Sequence, residues 1–276
     1  MSTADGRPDA EELAGLALHA ARAAAELVRD RRTRGVTVAA TKSSDVDVVT
    51  EADRASEELI RRTIRERRPD DAFLGEEGDD EAGTSGVRWI IDPIDGTVNF
   101  LYGLPQYAVS VAAEVDGEVV TGVVLNAATG TTYLAVRRAD GVLVATRDGE
   151  RIAANPDVPL DKMLVGTGFS YDREVRRVQV TALLDLLPRV RDVRRLGSCA
   201  LDLCHVAEGS LDAYVEEGVN LWDHAAGGLI ARAAGARTEL LPGAGGLSLL
   251  LCAPASAFEE FRGAVLRAGF ADRHGE

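Results

Sequence analysis

The sequence predicts an α/β fold in two lobes, a mixed α+β lobe over residues 1–150 and an α/β lobe over 151–276, with helices layered against sheets. A long Ala- and Leu-rich helical pattern opens the chain. Apolar alternation with a hairpin signal dominates residues 108–136. From Met163 onward, short strand patterns alternate with helical ones.

Asp9–Arg31 places Leu13, Leu16, Ala17, Ala20 and Ala24 on one side of a helix. Lys42–Asp45 is a polar loop. A second helix runs from about Asp53 to Arg67, with Leu59 and Ile64 apolar, and Pro69 stops it. Ala72–Leu74 is a short strand leading into Gly75-Glu76-Glu77-Gly78, and Asp79–Gly86 reads as a mobile acidic surface loop. Ala108–Val115, Val119–Leu125 and Thr131–Val136 are strands, the first two joined at Asp116-Gly117, and Val142–Ala145 is a further strand. Then come strand Met163–Val165, helix Arg173–Leu187, strand Arg191–Arg195, helix Cys199–Ala207, strand Ala213–Val215 and helix Asp223–Ala234. Strand Ser248–Cys252 and helix Ala257–Ala268 close the chain.

Hydrophobic residues make up 46% of 276 residues, enough for a sizeable core. A net charge of −14 argues against a duplex nucleic acid or an anionic membrane as main partner. The opening residues lack the basic and apolar regions of a secretion signal, and no apolar run is long enough to span a membrane. Cys199, Cys204 and Cys252 lack zinc-type spacing and read as reduced thiols, so the expected location is cytoplasmic.

Trp89-Ile90-Ile91-Asp92-Pro93-Ile94-Asp95-Gly96-Thr97 is the most informative stretch. Its apolar start is a buried strand, expected to end at Asp92-Pro93 because Asp and Pro are poor strand residues. Two carboxylates at a strand end repel unless a cation sits between them. Gly96-Thr97 offers N–H groups and a hydroxyl suited to a phosphate. Further acids stand at Thr50-Glu51-Ala52-Asp53, Glu76-Glu77 and Trp222-Asp223, while His224 reads as structural or exposed. Each alone reads as a solvated turn or helix start. Together they form an oxygen-only donor set, which favours Mg²⁺ or Mn²⁺ over Zn²⁺. Two such ions can clamp an in-line phosphoryl displacement. No Gly-x-Ser-x-Gly elbow and no Walker A loop is present.

From about Glu11 to Gly269 the chain resembles the inositol monophosphatase family, most of all its actinobacterial inositol-1-monophosphatases. The resemblance rests on Asp47–Asp53, Gly75-Glu76-Glu77, Trp89–Phe100 and Trp222–Gly227, in the family's order and at family-like spacing. It implies a layered αβαβα sandwich of the inositol monophosphatase/fructose-1,6-bisphosphatase type, Mg²⁺-dependent hydrolysis of inositol-1-phosphate by in-line attack of an activated water, a homodimer, and inhibition by Li⁺. By position, Glu76, Asp92 and the Ile94 carbonyl would hold one metal and Asp92, Asp95 and Asp223 a second. Glu76 would also help hold a third ion through water. Asp53 would pair with Thr97, which orients the water, and the Gly96 and Thr97 N–H groups would bind phosphate. Glu216 would recognise ring hydroxyls, and Gly197, Ser198 and Cys199 would line the same pocket.

Val98 stands where many members carry a second Thr, Ser198 replaces a frequent Thr and Cys199 a frequent Ala; the last is expected to tighten the pocket. Lys42–Asp45 matches a loop that closes over the site in relatives. Histidinol phosphate, fructose-1,6-bisphosphate and 3′-phosphoadenosine phosphate are alternative substrates on the same site. A partner-binding role with the transcription machinery is an alternative of another class.

Overall fold

The computed structural model describes residues 8–35, 38–41 and 48–272. The polar loop expected at Lys42–Asp45 and the motif residue Asp47 lie outside them.

Helix α1 (Ala10–Arg34) begins where the Asp9 side chain accepts the Glu11 N–H at 3.0 Å. Strands β1 (Val38–Thr41) and β2 (Val48–Thr50) pair antiparallel, and α2 (Glu51–Arg65) starts from a capping box between Thr50 and Asp53. Then follow β3 (Ala72–Gly75), β4 (Val87–Asp95), the short α3 (Thr97–Tyr102), β5 (Ala108–Val115), β6 (Glu118–Asn126), β7 (Thr132–Arg137), β8 (Leu143–Arg147) and β9 (Glu150–Arg151). β3–β9 lie in sequence order in a seven-stranded sheet, with β3 parallel to β4 and every other pair antiparallel.

The second half continues with β10 (Leu164–Thr167), α4 (Arg173–Leu186), β11 (Asp192–Arg194), α5 (Cys199–Glu208), β12 (Ala213–Glu217), α6 (Leu221–Ala233), β13 (Ala236–Pro242), β14 (Ser248–Pro254) and α7 (Phe258–Ala268). These strands build a five-stranded sheet in the order β11-β10-β12-β14-β13. Helices α4 and α5 are crossovers between parallel strands; the β13–β14 hairpin is antiparallel. β13 was not legible, because Arg237, Thr238 and Glu239 give Ala236–Pro242 too polar a start.

Side-chain alternation sorts the core into three clusters between five layers of helix and sheet. Trp89 and Ile91 of β4 face α1 and α2, together with Leu13, Ala17, Ile60 and Ile64. Ile90 faces the opposite way and joins α5, α6 and the inner face of the second sheet through Leu203, Ile230, Tyr214 and Leu250. Val165, Val215 and Leu251 face outward onto α4 and α7, packing with Leu186, Phe258 and Phe261. The order is thus helix, sheet, helix, sheet, helix, the αβαβα sandwich expected. No described helix is long and apolar enough to cross a membrane.

Two expectations change. β4 does not end at Asp92 but runs on to Asp95. Asp92 pairs with Ser110 and Asp95 with Ala108, so one extra residue is accommodated as a bulge, where Pro93 costs no regular ladder bond. The acidic segment 79–86 is exposed as expected, yet it is tied down. The Thr84 N–H donates to the Asp70 carbonyl at 2.8 Å, and Glu81 pairs with Phe73 through two backbone bonds at 2.9 Å.

Candidate active site

The bulge aims the end of β4 at the centre of the molecule. Asp92 is buried, and its Oδ1 accepts the Ile94 N–H at 3.0 Å. Asp95 is also buried, and its Oδ2 reaches across to the start of α5. There it accepts the Ser198 hydroxyl at 2.5 Å and the Ala200 N–H at 2.7 Å. Between these lies Gly96 with φ +96°, where a Cβ would fall 2.8 Å from the Gln106 carbonyl oxygen and 3.1 Å from that of Gly197. Only glycine permits this approach.

Parallel pairing with β4 delivers Glu76, whose N–H extends the ladder to the Ile91 carbonyl at 3.2 Å. The next turn is held from α2. Glu57 accepts the N–H groups of Glu77 at 2.8 Å and Gly78 at 3.1 Å. Arg61 pairs with Glu57 at 2.7 Å and with Glu81 at 2.9 Å. Glu57→Ala would leave the Arg61 guanidinium buried without its main partner. The expected cost is about 3–5 kcal/mol of unfolding free energy, read by urea denaturation.

Asp53, at the third helical position of α2, is buried as well, not solvated. It accepts the Thr50 N–H at 2.8 Å, the Thr50 hydroxyl, and the Thr97 hydroxyl at 3.1 Å. The Thr97 hydroxyl also stands 3.1 Å from the Ile94 carbonyl. Asp223 lies in the first turn of α6, where its Oδ2 accepts the Asn220 N–H at 2.6 Å.

These elements surround a cavity of ≈ 460 Å³. Glu76, Asp92, Ile94, Asp95, Gly96, Thr97, Gly197, Cys199, Glu216 and Asp223 all line it. Asp53 and Ser198 stand behind the wall and act on it through Thr97 and Asp95. Gly168–Asp172, Arg195, Asn220, Trp222 and Leu247 also line the cavity. Sequence reasoning gave none of them a place in the site: Trp222 stood in a motif without a role of its own, and the others come from irregular connections without periodicity or a motif. His224 is half-buried, and burial lowers its pKa to about 4, in keeping with a structural role.

The electrostatics of this wall are one-sided. Burial, then the charges of Glu76, Asp95 and Asp223, hold the Asp92 carboxyl well above its ordinary range, and Asp92 also hydrogen-bonds the Glu76 carboxyl. Burial raises Asp95 to about 7 against the opposing bonds from Ser198 and Ala200. Burial raises Asp53 to about 6 and pushes Asp223 and Glu216 upward too. Among the described residues Arg195 is the one Lys or Arg on the wall.

Among the described residues no three His, Cys, Asp or Glu side chains meet in ready-made ligating geometry. Asp92, Asp95 and Asp223 each have one oxygen committed to a protein donor, so they face the cavity without closing on a point. The donor set nevertheless fits a hard divalent cation. It is all oxygen, it is rigidly backed, and it forces two carboxyl groups into contact where only a proton or a cation relieves the repulsion.

A profile of the inositol monophosphatase family matches residues 9–257. An inositol-1-monophosphatase of Mycobacterium bovis is 44% identical over 266 residues, covering 90% of this chain and 92% of that protein. A protein named Nus factor SuhB from Pasteurella multocida is 38% identical over 222 residues, covering 80% and 82%. The solved structure of Mycobacterium tuberculosis SuhB superposes with a TM-score of 0.80 at 40% identity, covering 96% of this chain and 99% of that one. From these matches and this fold, the chain belongs to the inositol monophosphatase family.

Proposed function

We propose that the chain is a Mg²⁺-dependent phosphomonoesterase that hydrolyses inositol-1-phosphate to inositol and phosphate, working as a homodimer and sensitive to Li⁺. The observation that carries the chemistry is the convergence of Glu76, Asp92, Asp95 and Asp223 on one cavity. The substrate rests on the names of relatives such as the Mycobacterium bovis protein and on Glu216. The lobe boundary near residue 150 is part of the same proposal.

In this reading Glu76, Asp92 and the Ile94 carbonyl would hold one Mg²⁺, Asp92, Asp95 and Asp223 a second, and Glu76 would contribute to a third. Bound Mg²⁺ would supply neutralisation of the phosphate oxygens and Lewis acidity. Gly96 and Thr97 seat the phosphate with their N–H groups. Thr97 Oγ1 donates its proton to Asp53 Oδ1 and keeps its lone pairs to accept from the attacking water, fixing that water in line with phosphorus. Asp53, buried behind Thr97, holds this hydroxyl in one orientation. Glu216 accepts from hydroxyls of the polyol, and Gly197 and Cys199 shape the wall beside it.

Phosphate release from inositol-1-phosphate, histidinol phosphate, fructose-1,6-bisphosphate and 3′-phosphoadenosine phosphate, each with Mg²⁺ and with chelator, tests the proposal. Metal-dependent release led by inositol-1-phosphate is the expected result. Release led by another substrate would move the assignment of Glu216, Gly197 and Cys199. In Glu216→Ala, kcat/KM for inositol-1-phosphate should fall about 10²-fold, far more than for a phosphomonoester without a hydroxyl ring. The relative named as a Nus factor favours a second reading, partner binding with the transcription machinery. A pull-down that recovers no polymerase subunit would remove it.

A further inference from the structure

The strand that carries Glu216 shows how its carboxylate is aimed. Tyr214 and Glu216 sit two apart on β12, so both side chains leave the same face, toward α5 and the cavity. Their neighbour strand β10 is paired Gly166 to Tyr214 and Thr167 to Val215, and Gly168 follows beside Glu216. Both side chains need the space those glycines leave. A Cβ on Gly166 would come 2.8 Å from Leu211 Cδ1 and 3.0 Å from Tyr214 Cδ2, and one on Gly168 would come 2.1 Å from the Glu216 carboxyl. Neither glycine has the positive φ that would reserve it for backbone reasons. Gly168 leaves the clearance that the Glu216 carboxyl fills, and Gly166 leaves room for Leu211 and the Tyr214 ring.

Within this slot the Tyr214 hydroxyl donates to Glu216 Oε2. Tyr214 is fully buried, so its ring cannot follow a wandering carboxylate into solvent. Cys199, buried at the start of α5 and on the cavity wall, belongs to the same core cluster as Tyr214.

We propose that Tyr214 is a positioning residue for substrate recognition. It locks one oxygen of Glu216 through its hydroxyl and leaves the other to accept from the substrate's hydroxyls. The proposal rests on the reading of Glu216 as the group that recognises the polyol. It assigns the selectivity for polyhydroxylated phosphomonoesters to a preset carboxylate. A free carboxylate would lose rotamer entropy with each substrate bound.

The test compares wild type, Tyr214→Phe, Gly168→Ala and Glu216→Gln, with Mg²⁺, on inositol-1-phosphate and on p-nitrophenyl phosphate. Tyr214→Phe keeps the buried ring and should raise KM for inositol-1-phosphate about tenfold with kcat within about twofold. Its kinetics on p-nitrophenyl phosphate should stay within about twofold. Gly168→Ala should give the same split by pushing the carboxylate directly. Thermal melts of each variant report folding independently. A Tyr214→Phe KM within twofold of wild type, while Glu216→Gln raises it, would overturn the positioning role alone. An equal loss on both substrates would also overturn it. A wild type with no preference for inositol-1-phosphate would overturn the reading of Glu216, and this inference with it.

Discussion

Asp92→Asn is expected to lower phosphatase turnover at saturating Mg²⁺ by about 10³-fold, the largest single loss in the molecule. Asp92 is buried at the bulge of β4, and its pKa is raised by burial and by three other acids. In the proposed site it would bridge two ions, so losing its charge weakens both positions at once. The amide keeps the shape, and its oxygen can still accept the Ile94 N–H. The loss is therefore electrostatic and should not reflect misfolding. The same substitution removes a repulsive charge, so in chelator the variant should melt higher than wild type. Turnover near wild type would sink the two-ion assignment, and calorimetric titration with Mg²⁺ would show independently whether affinity fell.

The second large effect is a stability profile that slopes the unusual way. Asp95 is raised to about 7 and Asp53 to about 6, both from an ordinary value of 3.8. Between those limits the folded chain binds more protons than the unfolded one, so stability decreases as pH rises from about 4 to about 7. Asp92, Asp223 and Glu216, also shifted upward, act in the same direction. In chelator, Tm should therefore rise by about 5–10 °C on going from pH 8 to pH 5. Mg²⁺ binds the charged forms, so adding it should raise Tm most at pH 8 and flatten the slope. Scanning fluorimetry across pH, with and without the ion, reads both. A chelated profile that is flat or that falls toward pH 5 would contradict the repulsion on which the site is built.

Much of this was legible in the sequence, for identifiable reasons. Trp89-Ile90-Ile91 announced a buried strand because three apolar residues must serve two faces, and the structure sends Ile90 one way and its neighbours the other. The acids at 53, 76, 95 and 223 were visible because each stands at the end or start of a regular element, where patterning is strong, and Asp92 because it opens the Asp-Pro-Ile-Asp run. Three features were not. The bulge that keeps β4 going through Pro93 depends on pairing with β5, which no local propensity encodes. The turn from Glu76 is held by Glu57 and Arg61, which read as ordinary surface charges of α2. Gly168–Asp172 reach the cavity only through the topology of the second sheet.

The Asp95 carboxylate, with one oxygen turned to Ser198 and Ala200, gives the molecule a rivet as well as a proposed metal ligand. It fastens the last residue of a first-sheet strand to the first turn of a second-sheet helix. The consequence is an economy that constrains how the chain can drift. In the proposed site, a mutation there would discard a charge that holds metal and open the seam between the halves together. Position 198 is bound to the same bargain, because its hydroxyl both starts the helix and faces the rivet. Variation in such a chain is pushed outward, to the wall that touches the substrate and away from the joint that holds the wall in place.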